Sequence, residues 1–542
     1  MVVRALLCLS WLFCCWAPAA ICQQGQPGSP GLKFSVSFDH SVNQTDITGR
    51  VYVMISRNNN REPRLQVSES GVPFWGMNVS HLAPGQGAVI SDTVFGYPLE
   101  SIRDIPAGEY YVQGFINVYT EFRRSDGHTL WMHNDRWEGQ DWRRGEGNLY
   151  SEVRKVYIDP AKAETIGLVC TKANPAVKIP EETKMVRRIR IQSKLLSEFW
   201  GQPMYLGATV LLPKGYDEHP DERYPVNYQH GHFGLGVPFG FRDPSGPATN
   251  SGRPDSGFTG FWMSDSCPPL IAVNILHPCP YYDDSYAVNS PNVGPYDDAI
   301  MQELIPYLET KFRIIRQPWA RILSGGSTGG WIALDQQIRH PAFYGGAFSS
   351  CADPVDFHYH QIVNIYEDKN AYYLDNEWIR VDRPDTRRTD GNVRSTMSSE
   401  NLFELVVGDK SRSGGQWDIW EAAFSPIGPD GYPMRLWNKR TGVIDHAVAE
   451  QWKKYDLHAY LKENWSSVGK DLKGKLFIYM GDMDTYYLNN AMELLAGFLK
   501  ETKDPFFDGL IDFGRKKPHG YGPRGAELVK LMMQQVKKKR EK

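Results

Sequence analysis

The first residue that could carry chemistry is a serine in a glycine-rich turn. Residues 321–330 read RILSGGSTGG, an apolar strand pattern that leads directly into Gly325-Gly326-Ser327-Thr328-Gly329 and then into a helical pattern, WIALDQQIR. A G-x-S-x-G pattern between a strand and a helix is typical of a nucleophile elbow, where small residues permit a tight turn that exposes the serine hydroxyl. The helix N-terminus next to the serine favours the negative charge that develops in acyl transfer. Ser327 is therefore the predicted nucleophile.

A serine hydroxyl needs a base, and candidates follow in chain order. The strand pattern Leu476–Tyr479 precedes Asp482 and Asp484, and the apolar run Leu510–Phe513 precedes His519 in the sequence PHGYG. Because strands of an open α/β sheet place their carboxyl ends at the active-site edge, these side chains are expected to meet there. We predict that His519 is the base and that Asp484 orients it. Asp482, closer to the strand end, is better placed to bond backbone N–H groups of the loop.

Backbone donors for an oxyanion can also be assigned. Thr328 directly follows the predicted nucleophile and offers one N–H group. The segment YPVNYQHGH ends at His232 after a strand pattern. We predict the His232 N–H as the second donor of the oxyanion hole.

Two other classes of protein fit some of these residues. His230 with His232, and His358 with His360, form H-x-H pairs, and the carboxylates of the Asp482–Asp484 segment could complete a metal-dependent hydrolase site. Such a site would not need the elbow, and the sequence contains no H-E-x-x-H motif. A catalytically silent binding protein on a hydrolase scaffold is the second alternative, although such proteins typically lack a triad residue. The serine hypothesis predicts neither a cofactor nor a metal.

Strands and helices alternate after residue 180, which predicts a mostly parallel sheet flanked by helices. The predicted strands are Thr209–Leu212, Val226–Gln229, Leu270–Ile275, Arg321–Ser324, Ala347–Ser349, Leu476–Tyr479 and Leu510–Phe513. Helical spacing of apolar residues occurs in Asp297–Phe312, Trp331–Arg339 and Asn489–Lys500. We predict a catalytic domain at 195–535, a basic tail at 536–542, and a polar insertion at 352–470 that lies over the active-site edge.

The N-terminal part of the chain has a different pattern of apolar residues. Residues 1–22 combine Arg4, a short apolar run and small residues, which predicts a secretory signal peptide. Residues 23–32 form a Gly/Pro/Gln linker, and short strand patterns separated by turns predict an antiparallel β-sandwich at 33–160. Residues 161–194 are the predicted connector to the second domain.

Composition supports a secreted globular protein. The 542 residues carry a formal charge of −3, so nothing indicates a nucleic-acid partner, and no apolar run after the signal predicts stable membrane insertion. Secretion predicts disulfide bonds, with the pairing left open among Cys170, Cys267, Cys279 and Cys351, and a buried free thiol as the alternative for Cys351. Three N-x-[ST] sequons make Asn43, Asn78 and Asn464 glycosylation candidates.

Five motifs together resemble the esterase D/feruloyl-esterase-like "putative esterase" branch of the α/β-hydrolases. They are YPVNYQHGHFG, GPYDDAIMQELIPYLETKFR, RILSGGSTGGWIAL, FIYMGDMDTYY and PHGYG, and the resemblance covers residues 195–525. The resemblance implies an α/β-hydrolase fold and a serine carboxylic-ester hydrolase with Ser327 as nucleophile, His519 as base and Asp484 as acid. An acyl-enzyme intermediate and a small-molecule or polymer-linked ester substrate follow. The front domain and the insertion depart from a minimal member, so substrate preference does not carry over.

Overall fold

The computed structural model describes residues 31–133, 141–232, 234–244, 257–376 and 378–541. The predicted signal peptide at 1–22 and nearly all of the predicted linker at 23–32 lie outside the described residues.

The front domain is built from short strands. They are β1 Lys33–Phe38, β2 Ile47–Ser56, β3 Phe74–Leu82, β4 Ala88–Ile90, β5 Gly96–Tyr97, β6 Gly108–Val118, β7 Thr120–Arg123, β8 Thr129–Met132, β9 Leu149–Ser151, β10 Arg154–Ile158 and β11 Thr165–Ala173. Within the described part of this region, the helices are short 3₁₀ turns. Alternating burial along β1, with Phe34, Val36 and Phe38 inside, shows how these strands cover a core.

The predicted sandwich of two sheets is not confirmed. All of these strands except the β7–β8 hairpin belong to one nine-stranded sheet, in which β6 pairs with β2, β9 and β10. Most pairs are antiparallel, but β1 runs parallel to β11. Because β11 belongs to this sheet, the sheet continues to Ala173, beyond the domain boundary predicted at residue 160.

A second sheet carries the predicted site. Its strands are β12 Val186–Ser193, β13 Met204–Leu211, β14 Val226–His230, β15 Ile271–Leu276, β18 Arg321–Gly326, β19 Gly346–Ser350, β24 Leu476–Gly481 and β25 Leu510–Gly514, with the two-residue strands β16 Asn289–Ser290 and β17 Gly294–Pro295 outside it. The order across the sheet is β12-β13-β15-β14-β18-β19-β24-β25. The first two pairings are antiparallel and the others are parallel, as the strand–helix alternation predicts.

Helices cover both faces of this sheet. They are α1 Lys194–Trp200, α2 Phe258–Trp262, α3 Tyr296–Ala299, α4 Ile305–Lys311, α5 Thr328–Arg339, α6 Met397–Val407, α7 Gln416–Phe424, α8 His446–Trp452, α9 Leu457–Val468, α10 Asn489–Glu501 and α11 Gly525–Arg540. Neighbouring residues of the central strand β18 face opposite sides of the sheet. Leu323 belongs to the same hydrophobic core as α5, and Ile322 belongs to the core that contains α11. A π-helical turn, Ile300–Leu304, interrupts the helix predicted over Asp297–Phe312. Helix α11 runs to Arg540, so most of the predicted basic tail is its last turn.

The insertion at 352–470 contains α6–α9 and two small hairpins, β20 Tyr373–Asp375 with β21 Arg380–Asp382 and β22 Pro384–Arg387 with β23 Val393–Thr396. It packs against the front domain. The buried Arg50 side chain donates to the carbonyl oxygens of Val406 (3.0 Å) and Leu405 (3.2 Å), and the Tyr52 hydroxyl donates to that of Val407. An apolar cluster shared by the two parts surrounds these bonds, so the insertion is fixed to the front domain.

The structure does not confirm the predicted disulfide bonds. All four described cysteines are free thiols. Cys170 and Cys279 are buried in separate domains, and burial raises the pKa of each thiol. Burial also raises the pKa of Cys267 and of Cys351 to about 11. Cys170, Cys279 and Cys351 are buried and Cys267 is partly exposed, and none of the four has a disulfide partner among the described residues.

The candidate glycosylation sites lie in three different environments. Asn43 is in the turn after β1, Asn78 is an exposed residue of β3, and Asn464 is within α9. The Asn78 amide donates to Asp409 (2.6 Å) and the Asn464 amide to the Tyr460 carbonyl oxygen (2.9 Å). Glycosylation stays a prediction. In the described ranges, no helix has the length and apolar character needed to cross a bilayer.

Candidate active site

Ser327 occupies the sharp turn between β18 and α5. Its backbone angles are φ 57° and ψ −125°, a conformation that a residue with a side chain rarely adopts. The Ser327 N–H donates to the Ser350 carbonyl oxygen of neighbouring β19 at 2.9 Å, while the Ser327 carbonyl oxygen accepts from the Gly330 N–H at 2.9 Å. The surrounding backbone therefore holds the strained residue in place at the carboxyl end of the central strand.

Glycines of the turn are required by close backbone approach. A Cβ atom on Gly329 would lie 2.1 Å from the His230 carbonyl oxygen, and one on Gly325 would lie 2.1 Å from the Gly329 carbonyl oxygen. Gly326 is different, because the nearest atom to its Cβ position is the Ser350 carbonyl oxygen at 3.6 Å. The first helical turn of α5 thus sits directly against the end of β14, which places the loop carrying His232 beside Ser327.

His519 and Asp484 are brought together as predicted. His519 Nδ1 lies 2.8 Å from Asp484 Oδ2, and Asp484 is fully buried. The other carboxylate oxygen, Oδ1, accepts the Tyr486 N–H at 2.9 Å and the Leu488 N–H at 3.4 Å. Burial opposes protonation of the imidazole, but the hydrogen bond and the charge of Asp484 outweigh it and raise the pKa of His519 above 6.5. The Tyr486 ring packs edge-on against the imidazole, with centroids 5.0 Å apart.

Asp482 has a different role. Its Oδ1 accepts the Lys516 N–H at 2.5 Å, and its own N–H donates to the Gly514 carbonyl oxygen at 3.1 Å. Both bonds join the loop after β24 to the loop after β25, which carries His519. Asp482 therefore fixes loop backbone, as expected from its position next to the strand end.

The Ser327 hydroxyl is directed at Asp353, which no sequence motif marks as a site residue. Ser327 Oγ lies 3.4 Å from Asp353 Oδ1, and no hydrogen bond joins Ser327 to His519 among the described residues. Asp353 Oδ2 accepts from Thr328 Oγ1 at 3.0 Å and from the Tyr286 hydroxyl. Burial raises the pKa of the Asp353 carboxyl. Asp353 lies three residues after the end of β19, the strand next to that of the nucleophile, and this position is the only sequence signal for it.

The two predicted oxyanion donors lie at the same edge of the sheet. Thr328 begins α5, so its N–H has no acceptor within the helix. His232 follows β14, the parallel neighbour of β18. Its Nδ1 lies 3.3 Å from Asp283 Oδ1 and 3.2 Å from Asp284 Oδ2. Desolvation opposes the charged imidazole, but these carboxylates raise the pKa of His232 well above 6.5, which anchors the loop.

The H-x-H pairs do not converge on one cluster. His230 is buried, and burial lowers its pKa to about 3, whereas His232 turns to the two aspartates. His358 contacts Asp356 at 2.7 Å, whereas His360 is enclosed by aromatic rings and burial lowers its pKa to about 3. The members of each pair face different partners, so neither pair offers two ligands to one metal ion.

Cys351 is a further neighbour of the histidine. It has a left-handed backbone (φ 48°), and its Sγ accepts the Gly520 N–H at 2.9 Å. Its sulfur, one Asp484 oxygen and one His519 nitrogen lie within 4.8 Å of one another. The three atoms could surround a cation, but the direct hydrogen bond from His519 to Asp484 already accounts for two of them.

Comparison with known proteins places the chain in a family. The family model described as "Putative esterase" matches residues 203–502, more than half of the chain, so the protein belongs to this family. A search of curated proteins found no match.

Solved structures similar to the chain include three hydrolases. A ferulic acid esterase is 15% identical, with 65% of this chain and 96% of that chain covered and a TM-score of 0.34. FphF, a fluorophosphonate-binding serine hydrolase of Staphylococcus aureus, is 14% identical, with 65% of this chain and 98% of that chain covered and a TM-score of 0.32. An S-formylglutathione hydrolase from Agrobacterium tumefaciens is 10% identical, with 66% of this chain and 93% of that chain covered and a TM-score of 0.34.

Proposed function

We propose that this protein is a secreted serine carboxylic-ester hydrolase that acts through Ser327, His519 and Asp484. One observation carries the proposal: a serine in a strained turn at the end of the central strand shares its sheet edge with a histidine bonded to a buried aspartate. Membership in the esterase family supports the same reaction class. The substrate is a small-molecule or polymer-linked ester.

The reaction begins when Ser327 Oγ attacks the ester carbonyl carbon and His519 Nε2 accepts its proton. The hydroxyl has to turn from Asp353 toward the imidazole, a rearrangement that is common when a free enzyme binds substrate. Asp484 Oδ2 accepts a hydrogen bond from the Nδ1–H of His519, so it fixes the tautomer and stabilises the imidazolium without being protonated itself.

The tetrahedral intermediate places negative charge on the former carbonyl oxygen. The N–H groups of Thr328 and His232 donate to that oxygen, with α5 directed toward it by its N-terminus. The imidazolium then gives its proton to the departing alcohol, and an acyl-enzyme on Ser327 remains. Water, activated by His519, attacks the acyl carbon and releases the acid.

Labelling with a fluorophosphonate probe tests this proposal directly. Ser327 should be modified, and Ser327→Ala should lose both labelling and hydrolysis of a p-nitrophenyl ester. Ser324→Ala is the matched control, since Ser324 lies in the same strand and its buried hydroxyl has no hydrogen-bond partner among the described residues. A folded wild-type protein that neither labels nor hydrolyses any ester would favour the silent binding protein.

Secretion and glycosylation belong to the same proposal. The signal-peptide pattern at 1–22 supports export, and the three sequons would then be accessible to modification. N-terminal sequencing of protein collected from the culture medium tests export. Mass spectrometry of peptides that contain Asn43, Asn78 and Asn464 tests glycosylation.

A further inference from the structure

The carboxyl group of Asp353 is held in one position beside the nucleophile. Asp353 is only 4% exposed. Its Oδ2 accepts from Thr328 Oγ1 at 3.0 Å, from the Tyr286 hydroxyl, and from Gln416 Nε2 at 3.4 Å. Gln416 Nε2 also donates to the Tyr286 hydroxyl oxygen at 2.5 Å. Because Gln416 begins α7, the insertion takes part in fixing this carboxyl group.

The other oxygen, Asp353 Oδ1, faces the reacting serine. Among the described residues its one hydrogen-bond donor is the Ser327 hydroxyl, at the long distance of 3.4 Å. In the proposed reaction this hydroxyl turns to His519, so Oδ1 loses its donor while the substrate is bound. A buried acceptor without a donor is costly. A substrate that brings a donor to the same place is therefore favoured in the reacting complex.

The roles of the other groups around Ser327 identify the part of the ester that supplies this donor. The carbonyl oxygen goes to the N–H groups of Thr328 and His232, and the departing alcohol goes to His519. The remaining substituent of the carbonyl carbon is the acyl chain. Its first carbon is bonded to the atom that Ser327 attacks, so a polar group on that carbon lies closest to the place that the serine hydroxyl leaves.

The charges around Asp353 favour a neutral donor. Desolvation opposes the charged form of His232, but two neighbouring carboxylates raise its pKa well above 6.5, so it is positively charged at neutral pH. His519 becomes positive when it takes the serine proton. Burial raises the pKa of Asp353, and the charges of these two histidines oppose that rise, so both act on the carboxyl group. A cationic donor would add a third positive charge beside them, whereas a hydroxyl adds none.

We propose that Asp353 is a specificity-determining residue that selects esters of 2-hydroxy acids. The inference rests on the proposed esterase function. The 2-hydroxyl group of the acyl chain takes the place of the Ser327 hydroxyl and donates to Asp353 Oδ1, which makes a hydrogen bond to a charged acceptor. The bonds from Thr328, Tyr286 and Gln416 keep that acceptor in place.

Three methyl esters of related structure test the inference. Methyl 2-hydroxypropanoate carries the donor, methyl 2-methoxypropanoate keeps the electron-withdrawing oxygen but cannot donate, and methyl 2-methylpropanoate keeps the shape of the hydroxy ester. Each kcat/KM is divided by the rate constant for hydrolysis of the same ester by hydroxide ion. The corrected wild-type value should be at least about tenfold higher for one enantiomer of the hydroxy ester than for the other two esters.

Asp353→Asn should remove this preference. The amide oxygen can keep the bonds to Tyr286 and Thr328, which leaves the NH₂ group in the place of Oδ1. That group donates to a hydroxyl oxygen and to a methoxy oxygen alike, so the ratio of kcat/KM for the hydroxy and methoxy esters should fall about tenfold. Asp356→Asn is the matched control and should leave the ratio unchanged, because Asp356 is a buried acid three residues away that contacts two other histidines.

Binding to Ser327→Ala tests the same site without turnover, because this variant also leaves Asp353 Oδ1 without its donor. In ligand-observed NMR, one enantiomer of the hydroxy ester should bind at least about tenfold more tightly than the methoxy ester. Adding Asp353→Asn to this variant should abolish the difference.

The outcomes separate the two proposals. If Ser327 is labelled by fluorophosphonate and the corrected kcat/KM is equal for the three methyl esters, the selection of 2-hydroxy acids is overturned and the esterase remains. A preference for the hydroxy ester that Asp353→Asn retains also overturns it. A higher corrected kcat/KM for methyl 2-aminopropanoate in its protonated form overturns the choice of a hydroxyl and assigns an ammonium donor. If the wild type neither labels nor hydrolyses any ester, the esterase proposal fails, and equal binding of the hydroxy and methoxy esters to Ser327→Ala overturns the role of Asp353 as well.

Discussion

Replacing Asp484 by asparagine should remove most of the activity while leaving the fold intact. In the structure, Asp484 Oδ1 accepts two backbone N–H groups and Oδ2 faces His519 Nδ1 at 2.8 Å. Asparagine can keep its carbonyl oxygen toward the backbone, but its NH₂ group then faces a ring nitrogen that has to donate. The imidazole is driven to the wrong tautomer, so its Nε2 carries a proton and cannot accept one from Ser327.

The expected loss is about three to four orders of magnitude in kcat, the size seen for the equivalent change in a serine protease. Asp482→Asn is the matched control two residues away. Its amide oxygen can still accept the Lys516 N–H, so kcat should stay within about threefold and stability should fall by no more than about 1 kcal/mol.

Both variants should be assayed for kcat on a p-nitrophenyl ester across pH, together with thermal melting. Neutral His519 is the active form and its pKa is raised, so wild-type kcat/KM should be lost as the pH falls through a midpoint above 6.5. The residual activity of Asp484→Asn should titrate at a lower pH, because the carboxylate that raises the pKa of His519 is gone. Near-normal turnover of Asp484→Asn, with an inactive Asp482→Asn, would refute the assignment.

Other outcomes follow from the same geometry. Gly329→Ala should fail to fold or melt far below wild type, since its Cβ would lie 2.1 Å from the His230 carbonyl oxygen, whereas Gly326→Ala, with 3.6 Å of room, should melt near wild type. Asp353→Ala should lower the free energy of unfolding in urea by about 1–3 kcal/mol, because the Tyr286 hydroxyl and Thr328 Oγ1 lose a buried acceptor; an unchanged urea midpoint and slope would contradict this. Peptide mass spectrometry without reductant should find Cys170, Cys267, Cys279 and Cys351 as free thiols, and a disulfide-linked peptide would contradict the structure. The three buried thiols, Cys170, Cys279 and Cys351, should react with iodoacetamide more slowly than the partly exposed Cys267 until the protein is denatured.

The elements around the predicted triad could be read from local sequence. RILSGGSTGG combines an apolar run, glycines and a helical pattern within ten residues, so strand, turn and helix are all determined locally. Asp484 and His519 each follow an apolar run, and the rule that parallel strands end at one edge brings them together. The edge rule and the chain order Ser–Asp–His together led to the expected pairing, which the structure shows as a 2.8 Å contact.

Other features depend on contacts that the sequence does not display. Asp353 became part of the site because β19 lies beside β18, and neighbouring strands cannot be identified from the length of the chain between them. The single sheet of the front domain depends on the pairing of β6 with β2, β9 and β10, and these pairings join residues that are far apart in the sequence. The predicted secretion suggested disulfides, but the fold leaves all four described cysteines as free thiols, which depends on long-range packing.

The bonds between the front domain and the insertion have a consequence for synthesis on the ribosome. Tyr52 and its acceptor, the Val407 carbonyl oxygen, are separated by 355 residues. At roughly 5–20 residues per second, the ribosome needs about 20–70 s to make that intervening stretch. During this interval the aromatic face formed by Tyr52, Phe74 and Phe115 has no cover from the insertion. The newly made front domain therefore leaves part of this apolar face uncovered until the insertion is made, and an expression fragment that ends before residue 397 should be recovered largely as aggregate.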